Sequence, residues 1–448
     1  MSNLTLGSIR QCLDGQIPAV VATCSQDGVP NGSYVSQVHY IDPEHVALSF
    51  QFFNKTHANI LANPVACIMV ADPETAARYR LQARYLRTES EGPIFENLKA
   101  KLAGIASHTG MSGIFKLKGA DIYRVTHVSE VSGQSALPTA PRRSLLAAVR
   151  NFVDATQRCT ELDELLTCAL SELDAQFRIG HSMIHWLDES GERLYLVASH
   201  GYEQYGAGSE IQLGHGVIGV AANARISIRI THATSEYTYS RAARESVRDT
   251  QLADRLEAEI PAPGLPAPGS QLAVPITARG ALLGVLYVED AADSQFGYDE
   301  EDALVAIAQH LGLAAQLLSQ SVERESPQPR KLVQDMEPSG RSVAIRHYQT
   351  DDTIFVDEDY LIKGVAGAIL WKLLREFQSA GRNEFSNREL RLDAALPLPE
   401  LSNNLEARLI LLKRRHAERC PHLAIENTGR GRFKLHVARP VKLLEMGS

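Results

Sequence analysis

The 448-residue chain reads as a multidomain α+β protein in three parts, and three observations predict this. Two stretches, 132–143 with Pro138 and Pro141 and 323–340 with Pro327, Pro329 and Pro338, interrupt patterned sequence; proline removes donors and stiffens extended chain, as linkers require. Short Val-, Ile- and Phe-rich runs fill the segment before the first linker, whereas amphipathic helices and paired strands alternate between the two. Behind the second linker, 403–442 hold ten Lys or Arg against three Glu in a chain whose formal net charge is -8.

The whole chain is 44% hydrophobic and 22% charged, ordinary values for a soluble globular protein. No apolar run has the length needed to span a bilayer, and no charged start leads into an apolar middle and a small-residue cleavage site. The expectation is therefore a cytoplasmic protein with no membrane partner. The six cysteines (12, 24, 67, 159, 168 and 420) show no metal-finger spacing. Cys159 and Cys168 are expected on opposite sides of one helix, nine residues apart, as buried free thiols.

In residues 1–131, strand patterns at 19–23, 34–39, 46–53 and 65–70 are separated by Asp-Gly, Asn-Gly and Asp-Pro turns, which predicts a mostly antiparallel sheet. Between the third and fourth runs, 54–64 form a polar turn and a short helix that Asn63-Pro64 ends. A helix start beside Lys55 and Thr56 is a ready anion site. With Tyr79-Arg80-Leu81-Gln82-Ala83-Arg84, this stretch resembles the FMN-binding split β-barrel of the pyridoxamine 5'-phosphate oxidase family. The resemblance implies Lys55, Thr56, Arg80 and Arg84 at the flavin phosphate and backbone near Ser36 and Gln37 at the ring edge. It also implies a dimer with the cofactor between subunits; the same barrel shape serves deazaflavin and haem proteins. The alternative for Arg80 and Arg84 is surface pairing with Glu89, Glu91 or Glu96. No residue set for pyridoxamine phosphate is recognisable, so oxidase activity does not follow from the fold.

Residues 144–322 open with two amphipathic helices, the second predicted to start at a cap, Thr160-Glu161-Leu162-Asp163. Strands follow at 181–187, 193–199, 271–277 and 282–289, with a long insertion whose proline run, 261–269, reads as a surface loop. Gly214-His215-Gly216-Val217-Ile218-Gly219 and Leu283-Gly284-Val285-Leu286-Tyr287-Val288 resemble a GAF domain, an α/β sandwich that implies a small-molecule ligand. His181, His185, His200, His215 and His232 are candidate haem or metal ligands, set against ordinary hydrogen-bonded side chains, and no pair has a metal-site spacing. Arg225, Arg229, Arg241 and Arg244 suit an anion or, as the blander reading, a solvated helix. Leu304, Leu311 and Leu318 recur every seven residues, a seam that packs either on the domain's own sheet or on its copy in a homodimer.

In residues 341–440, Val365, Ile369, Leu373 and Phe377 have helical spacing, Ser386-Asn387-Arg388-Glu389 is a capping box, and a basic helix leads into a hairpin over 425–435. Leu412-Lys413-Arg414-Arg415 followed by Thr428-Gly429-Arg430-Gly431-Arg432-Phe433 resembles the winged-helix output domain of response regulators. The resemblance implies DNA as partner, with Arg408, Arg414, Arg415, Arg430 and Arg432 as contacts, suited to guanine or phosphate by bidentate hydrogen bonding. One departure stands out: Leu409-Ile410-Leu411-Leu412 is apolar where that family presents two polar positions. Either the helix is rotated and more deeply buried or the surface binds protein. A solvated basic face is the third reading.

Together these readings point to a one-component transcriptional regulator that senses a flavin, haem or other small ligand and binds DNA. The alternative is an FMN-dependent oxidoreductase with regulatory C-terminal domains. No Ser/His/Asp, paired-carboxylate or phosphate-loop pattern has spacing that supports another enzyme, and no catalytic or metal-binding residue is singled out.

Overall fold

The computed structural model describes residues 4–13, 17–35, 38–50, 54–73, 75–108, 117–131, 144–188, 190–231, 260, 262–322, 340–393, 396, 404–429 and 431–446. Residues 132–143 and 323–339 of the two linkers, Ser36, Gln37, His232, Arg241, Arg244 and Arg430 lie outside them.

The first unit is one antiparallel sheet of seven strands: β1 (Ala19–Cys24), β2 (Pro30–Val35), β3 (Val38–Asp42), β4 (His45–Phe50), β5 (Val65–Ala71), β6 (Arg78–Glu89) and β7 (Gly119–Val131). The spatial order is β2-β1-β5-β6-β7-β4-β3. Alternation does the sorting, because successive strand residues face opposite sides. Ala19, Val21, Ala66, Ile68, Val70, Leu81 and Ala83 go into one core with Leu6, Ile9 and Leu13 from the N-terminal turn. Helix α1 (Asn54–Ala62) lies against β1, where Asn59 donates to Thr23 at 3.1 Å. Helix α2 (Pro93–His108) buries Phe95 and Leu98 on β4 and β7, and its outer side meets the second unit. The approach is close: a β-carbon on Gly104 would stand 2.4 Å from Ile228 Cγ2.

The second unit has helices α3 (Leu145–Thr156) and α4 (Leu162–Glu172), then β8 (His181–Leu187), β9 (Arg193–His200), β10 (Glu210–Gln212), α5 (Gly216–Ala224), β11 (Ile228–Ile230), β12 (Ser270–Ala278), β13 (Ala281–Asp290) and α6 (Tyr298–Val322). The sheet order is β10-β9-β8-β13-β12-β11. One sheet face carries Ile184, Trp186, Val197, Leu272, Val274 and Leu286 against α3, α4 and α6; the other carries Met183, Leu194, Ala273 and Val285 under α5. One local expectation is corrected, and one of two alternatives is the one found. The cap of α4 is Glu161, not Thr160, and the Thr160 N–H is instead bound by Glu164 Oε2 at 2.8 Å. The seam of α6 turns inward: Leu304 and Leu311 are buried on the unit's own sheet, and Gly312 touches the Thr277 carbonyl closely enough that a β-carbon would clash at 2.2 Å. Helix α6 is long and apolar enough by composition to cross a bilayer, but that character is explained by this core packing.

The third unit contains β14 (Val343–Tyr348), β15 (Thr353–Val356), β16 (Asp359–Ile362), α7 (Gly364–Ala380), β17 (Glu384–Ser386), α8 (Asn387–Arg391), α9 (Asn404–Arg419), β18 (Leu423–Gly429), β19 (Arg432–Val437) and β20 (Val441–Met446). Two sheets form, β16-β15-β14-β20 and β17-β19-β18. The capping box holds: Ser386 Oγ accepts from the Glu389 N–H at 3.3 Å and donates to Glu389 Oε2 at 3.2 Å. The hairpin of β18 and β19 also forms, pairing Ile425 with Leu435, with Gly431 in the left-handed region at φ +66°.

Candidate functional site

On the barrel, the strand period separates the residues expected at a flavin phosphate. Arg78, Arg80, Gln82 and Arg84 alternate with buried Leu81 and Ala83, so they share the exposed face of β6. Among the described residues no ion pair joins Arg80 or Arg84 to Glu89, Glu91 or Glu96: Glu89 pairs with Arg87 at 2.6 Å and Glu96 with Lys99 at 3.1 Å. Register places Ser129 and Arg124 of β7 beside Arg80 and Arg84. The result is a cationic strip whose chemistry fits a phosphate. Thr56 is elsewhere, buried, with its hydroxyl bonded to Asn31 Nδ2 at 2.9 Å and Ser33 Oγ at 2.8 Å on β2. Lys55 is exposed on the first turn of α1, seven residues before the helix ends near Pro64, or about 10 Å along the axis from the neighbourhood of Arg84. Within one chain, therefore, Arg80 and Arg84 share one face of β6, about 13 Å apart along the strand, and Thr56 does not join them.

In the second unit, the sheet face under α5 carries a carboxylate that sequence reasoning missed. Glu289 is 3% exposed and accepts from Tyr202 Oη at 3.0 Å, Tyr287 Oη at 3.0 Å and the Leu265 N–H at 2.8 Å. Burial raises its pKa, and these three donors pull it back only in part. His181 stands opposite Glu289 in register and packs on the Tyr202 ring at 5.4 Å. His185, on the same face, is fully buried with both ring nitrogens unpartnered, and burial pushes its pKa down to about 3. His200 instead pairs with Asp174 at 3.3 Å, and His215 precedes α5 without a side-chain cap bond. These histidines do not converge on a metal site; among the described residues no metal-binding cluster forms.

Of the insertion's arginines, Arg225 and Arg229 lie among the described residues. Arg225 donates to the Gly280 carbonyl at 3.0 Å. Arg229, on β11, is buried in an ion pair with Glu301 at 2.9 Å and lies 4.3 Å from the Tyr298 ring centroid. Arg10 from the barrel covers the same ring at 4.2 Å and pairs with Asp302 at 2.7 Å. Burial works to raise the Glu301 pKa, but Arg229, Lys101 and Ser227 bring it below the ordinary range. Arg10 thus joins barrel and sandwich.

The basic helix α9 faces the second unit. Arg414 donates to the Val197 carbonyl at 2.6 Å, Asp163 Oδ1 at 2.8 Å and Thr167 Oγ1 at 3.0 Å. The Arg408 guanidinium lies 3.8 Å from the Tyr195 ring centroid, Lys413 is 4.0 Å from Asp163, and Asn427 of the hairpin is hydrogen-bonded to Glu161. Arg415 turns into its own unit, donating to the Leu361 carbonyl at 2.8 Å and pairing with Glu418 at 3.2 Å. Leu409, Ile410, Leu411 and Leu412 are all buried. Of the two explanations for that apolar run, deeper burial is the one found. In this arrangement the side chains of Arg408, Arg414 and Arg415 are engaged by protein groups. Arg432 is exposed.

The fold and these sites define a class first: a split-barrel domain joined to a sensor-type α/β sandwich. Family comparison gives the particulars, with residues 6–125 matching the pyridoxamine 5'-phosphate oxidase family and 161–315 the GAF domain family. No curated protein matches the chain. Among solved structures, it is similar to the GAF domain of an Acinetobacter phosphoenolpyruvate-protein phosphotransferase at 20% identity, over 42% of this chain and 99% of that chain, with TM-score 0.31. An FMN-binding protein from Syntrophomonas wolfei matches at 17% identity over 26% of this chain and 79% of its own, with TM-score 0.23. HupZ of Group A Streptococcus matches at 21% over 29% and 95%, also at 0.23.

Proposed function

We propose that the chain is a one-component regulator in which barrel and GAF domain sense small molecules and the C-terminal unit binds DNA as a winged helix. The observation that carries this reading is the engagement of the basic helix α9 by the GAF domain through Arg414, Arg408 and Asn427. A surface of that charge, tied by polar contacts to a sensor-type domain, suits a switch between docked and released states. The order of sheet, three helices and hairpin supports the winged-helix assignment, and exposed Arg432 supplies a wing contact. The barrel's ligand is FMN or another phosphate-bearing molecule, with deazaflavin and haem as the alternatives. Arg80 and Arg84 on their exposed strip support the phosphate. The GAF ligand would act through the face that carries Glu289 and Tyr202.

Assembly as a homodimer would use Leu313 and Leu317, 49% and 64% exposed and one turn apart on α6, rather than the buried seam. The test of the whole reading is a mobility shift on promoter and random DNA at low salt, where phosphate attraction is strongest. Binding that Arg432→Glu weakens is expected; absence of binding by both the intact chain and a variant released at Asp163 would refute it. The arginine strip also favours a second reading, an FMN-dependent oxidoreductase, which predicts flavin turnover with a reductant that is indifferent to Arg432→Glu.

A further inference from the structure

Between the barrel and the GAF domain lies a cleft of about 470 Å³, a volume in the range that small-molecule sites occupy. Its barrel wall is the N-terminal turn from Gly7 to Gln11 with Pro73 after β5. Its GAF wall is the start of α3, the chain entering β8 and the turn from β13 into α6. The arginine strip of β6 and the Glu289 face contribute no residue to it, so the cleft is separate from both sites described above.

The lining divides by chemistry. Pro73, Leu145, Phe177 and Ile179 give it apolar surface. Most of its charged and polar groups are already committed. Arg10 donates to Asp302 at 2.7 Å and covers the Tyr298 ring, and Gln11 is hydrogen-bonded to Asp72. Glu300 accepts from the Gly297 N–H at 2.8 Å and, with Asp299, occupies the first turn of α6, where negative charge is favoured. Arg178 is the exception: it is exposed and its side chain has no ion pair or hydrogen bond among the described residues. One uncommitted guanidinium beside apolar surface suits an anion with an apolar body. Asp299 and Glu300 on the same lining repel a second negative charge, which selects a carboxylate over a phosphate ester.

We propose that this cleft binds a small carboxylate with an apolar body, its anionic end on Arg178 and its body along Leu145, Phe177 and Ile179. Ser8 and Arg10 of the barrel and Tyr298 of the GAF domain line the same space, so the bound molecule touches both domains where Arg10 already joins them. A ligand that contacts both walls favours the joined form over the parted one, and occupancy therefore tightens barrel against sandwich. The inference is independent of the flavin and DNA readings.

The test titrates full-length protein with cinnamate, and with cinnamamide as its uncharged counterpart, by isothermal calorimetry at one low salt concentration. Saturable binding of one cinnamate per chain is expected, about tenfold or more tighter than the amide, the effect of one charge-assisted pair. Arg178→Asn should remove that preference, and asparagine tolerates the φ of +60° found there, so the backbone is kept. Gln295→Trp, which fills the cleft from an exposed position, should weaken both probes. Amide exchange under saturating cinnamate should slow at 7–11 and at 294–300 together. No saturable binding up to the solubility limit of the probe, or binding that either variant leaves unchanged, overturns the site. Equal affinity for the two probes overturns the anion assignment, and slowed exchange on one wall alone overturns the bridging.

Discussion

Replacing Asp163 by Ala perturbs the docking of α9 from the GAF side and leaves every C-terminal residue intact. Asp163 is 32% exposed and its partner Arg414 11%, so the pair is neither a surface bridge nor a fully desolvated one. A hydrogen bond to a charged group contributes about 1.5–3 kcal/mol, and partial solvation puts this one near the lower half of that range. Arg414 retains the Val197 carbonyl and Thr167, while Lys413 loses its 4.0 Å neighbour. A loss of about 2 kcal/mol shifts the balance of docked and released forms about 30-fold. Apparent affinity scales with the competent fraction, so the dissociation constant for DNA should fall by up to about 30-fold. Fluorescence anisotropy at one fixed low salt concentration reads this directly. The control is Asp154→Ala, which removes the same charge from an exposed position on α3. Faster amide exchange across α9 with DNA affinity equal to that of the control would refute the assignment of α9 as the DNA-reading helix.

Flavin affinity, measured by FMN fluorescence polarisation, should drop about tenfold or more in Arg84→Ala, the effect of losing one charge-assisted bond to phosphate. Thr56→Ala should leave it within about twofold, since that hydroxyl is already bonded to Asn31 and Ser33. On α6, Leu317→Glu should convert dimer to monomer in sedimentation with the fold intact, whereas Leu311→Glu, at 1% exposure, should unfold the GAF domain because it buries an unpaired charge. Acid should unfold the chain steeply: burial holds His185 near 3 and His39 and His416 near 4, below their unfolded values of about 6.5. The unfolded state therefore binds protons that the folded state refuses, and stability falls below about pH 6.5 by about 1.4 kcal/mol per pH unit for each histidine. His185→Leu should remove about a third of that slope in denaturant titrations across pH 6 to 4.5.

What was legible in the sequence was whatever rests on local chemistry. The alternation that puts Leu81 and Ala83 inside and Arg80 and Arg84 outside follows from the strand period. The cap at Ser386 and the hairpin around Gly431 are short-range contacts. Errors arose where a neighbour or a distant surface decided the outcome. Arg87 lies two residues from Glu89 and reaches it first, which leaves Arg84 without that acid. Arg229 resembled any exposed arginine of an insertion until Glu301 and Tyr298, seventy residues on, enclosed it. Cys159 was displaced from its expected face by a helix that starts at Leu162, with Glu164 binding the Thr160 N–H outside it. Glu289 had no sequence signal beyond being a charged residue at the end of an otherwise apolar strand.

The run Leu409 to Leu412 did carry information about docking, through geometry alone. Four consecutive helical residues spread over about 300° of arc, so a helix packed on one side cannot bury all of them. All four are buried because the C-terminal unit covers one side and the GAF domain another, where Leu411 Cδ1 lies 3.3 Å from the place a β-carbon on Gly208 would occupy. Returning a buried leucine or isoleucine to water costs about 1.5–3 kcal/mol. Release of α9 would therefore have to overcome both its polar contacts and this apolar area. A ligand that takes the helix from mostly docked to mostly free must favour the free form by about 5.5 kcal/mol. One weak effector is insufficient for that. Under the proposed regulator reading, two sensor-type domains on one chain would provide separate increments toward that threshold.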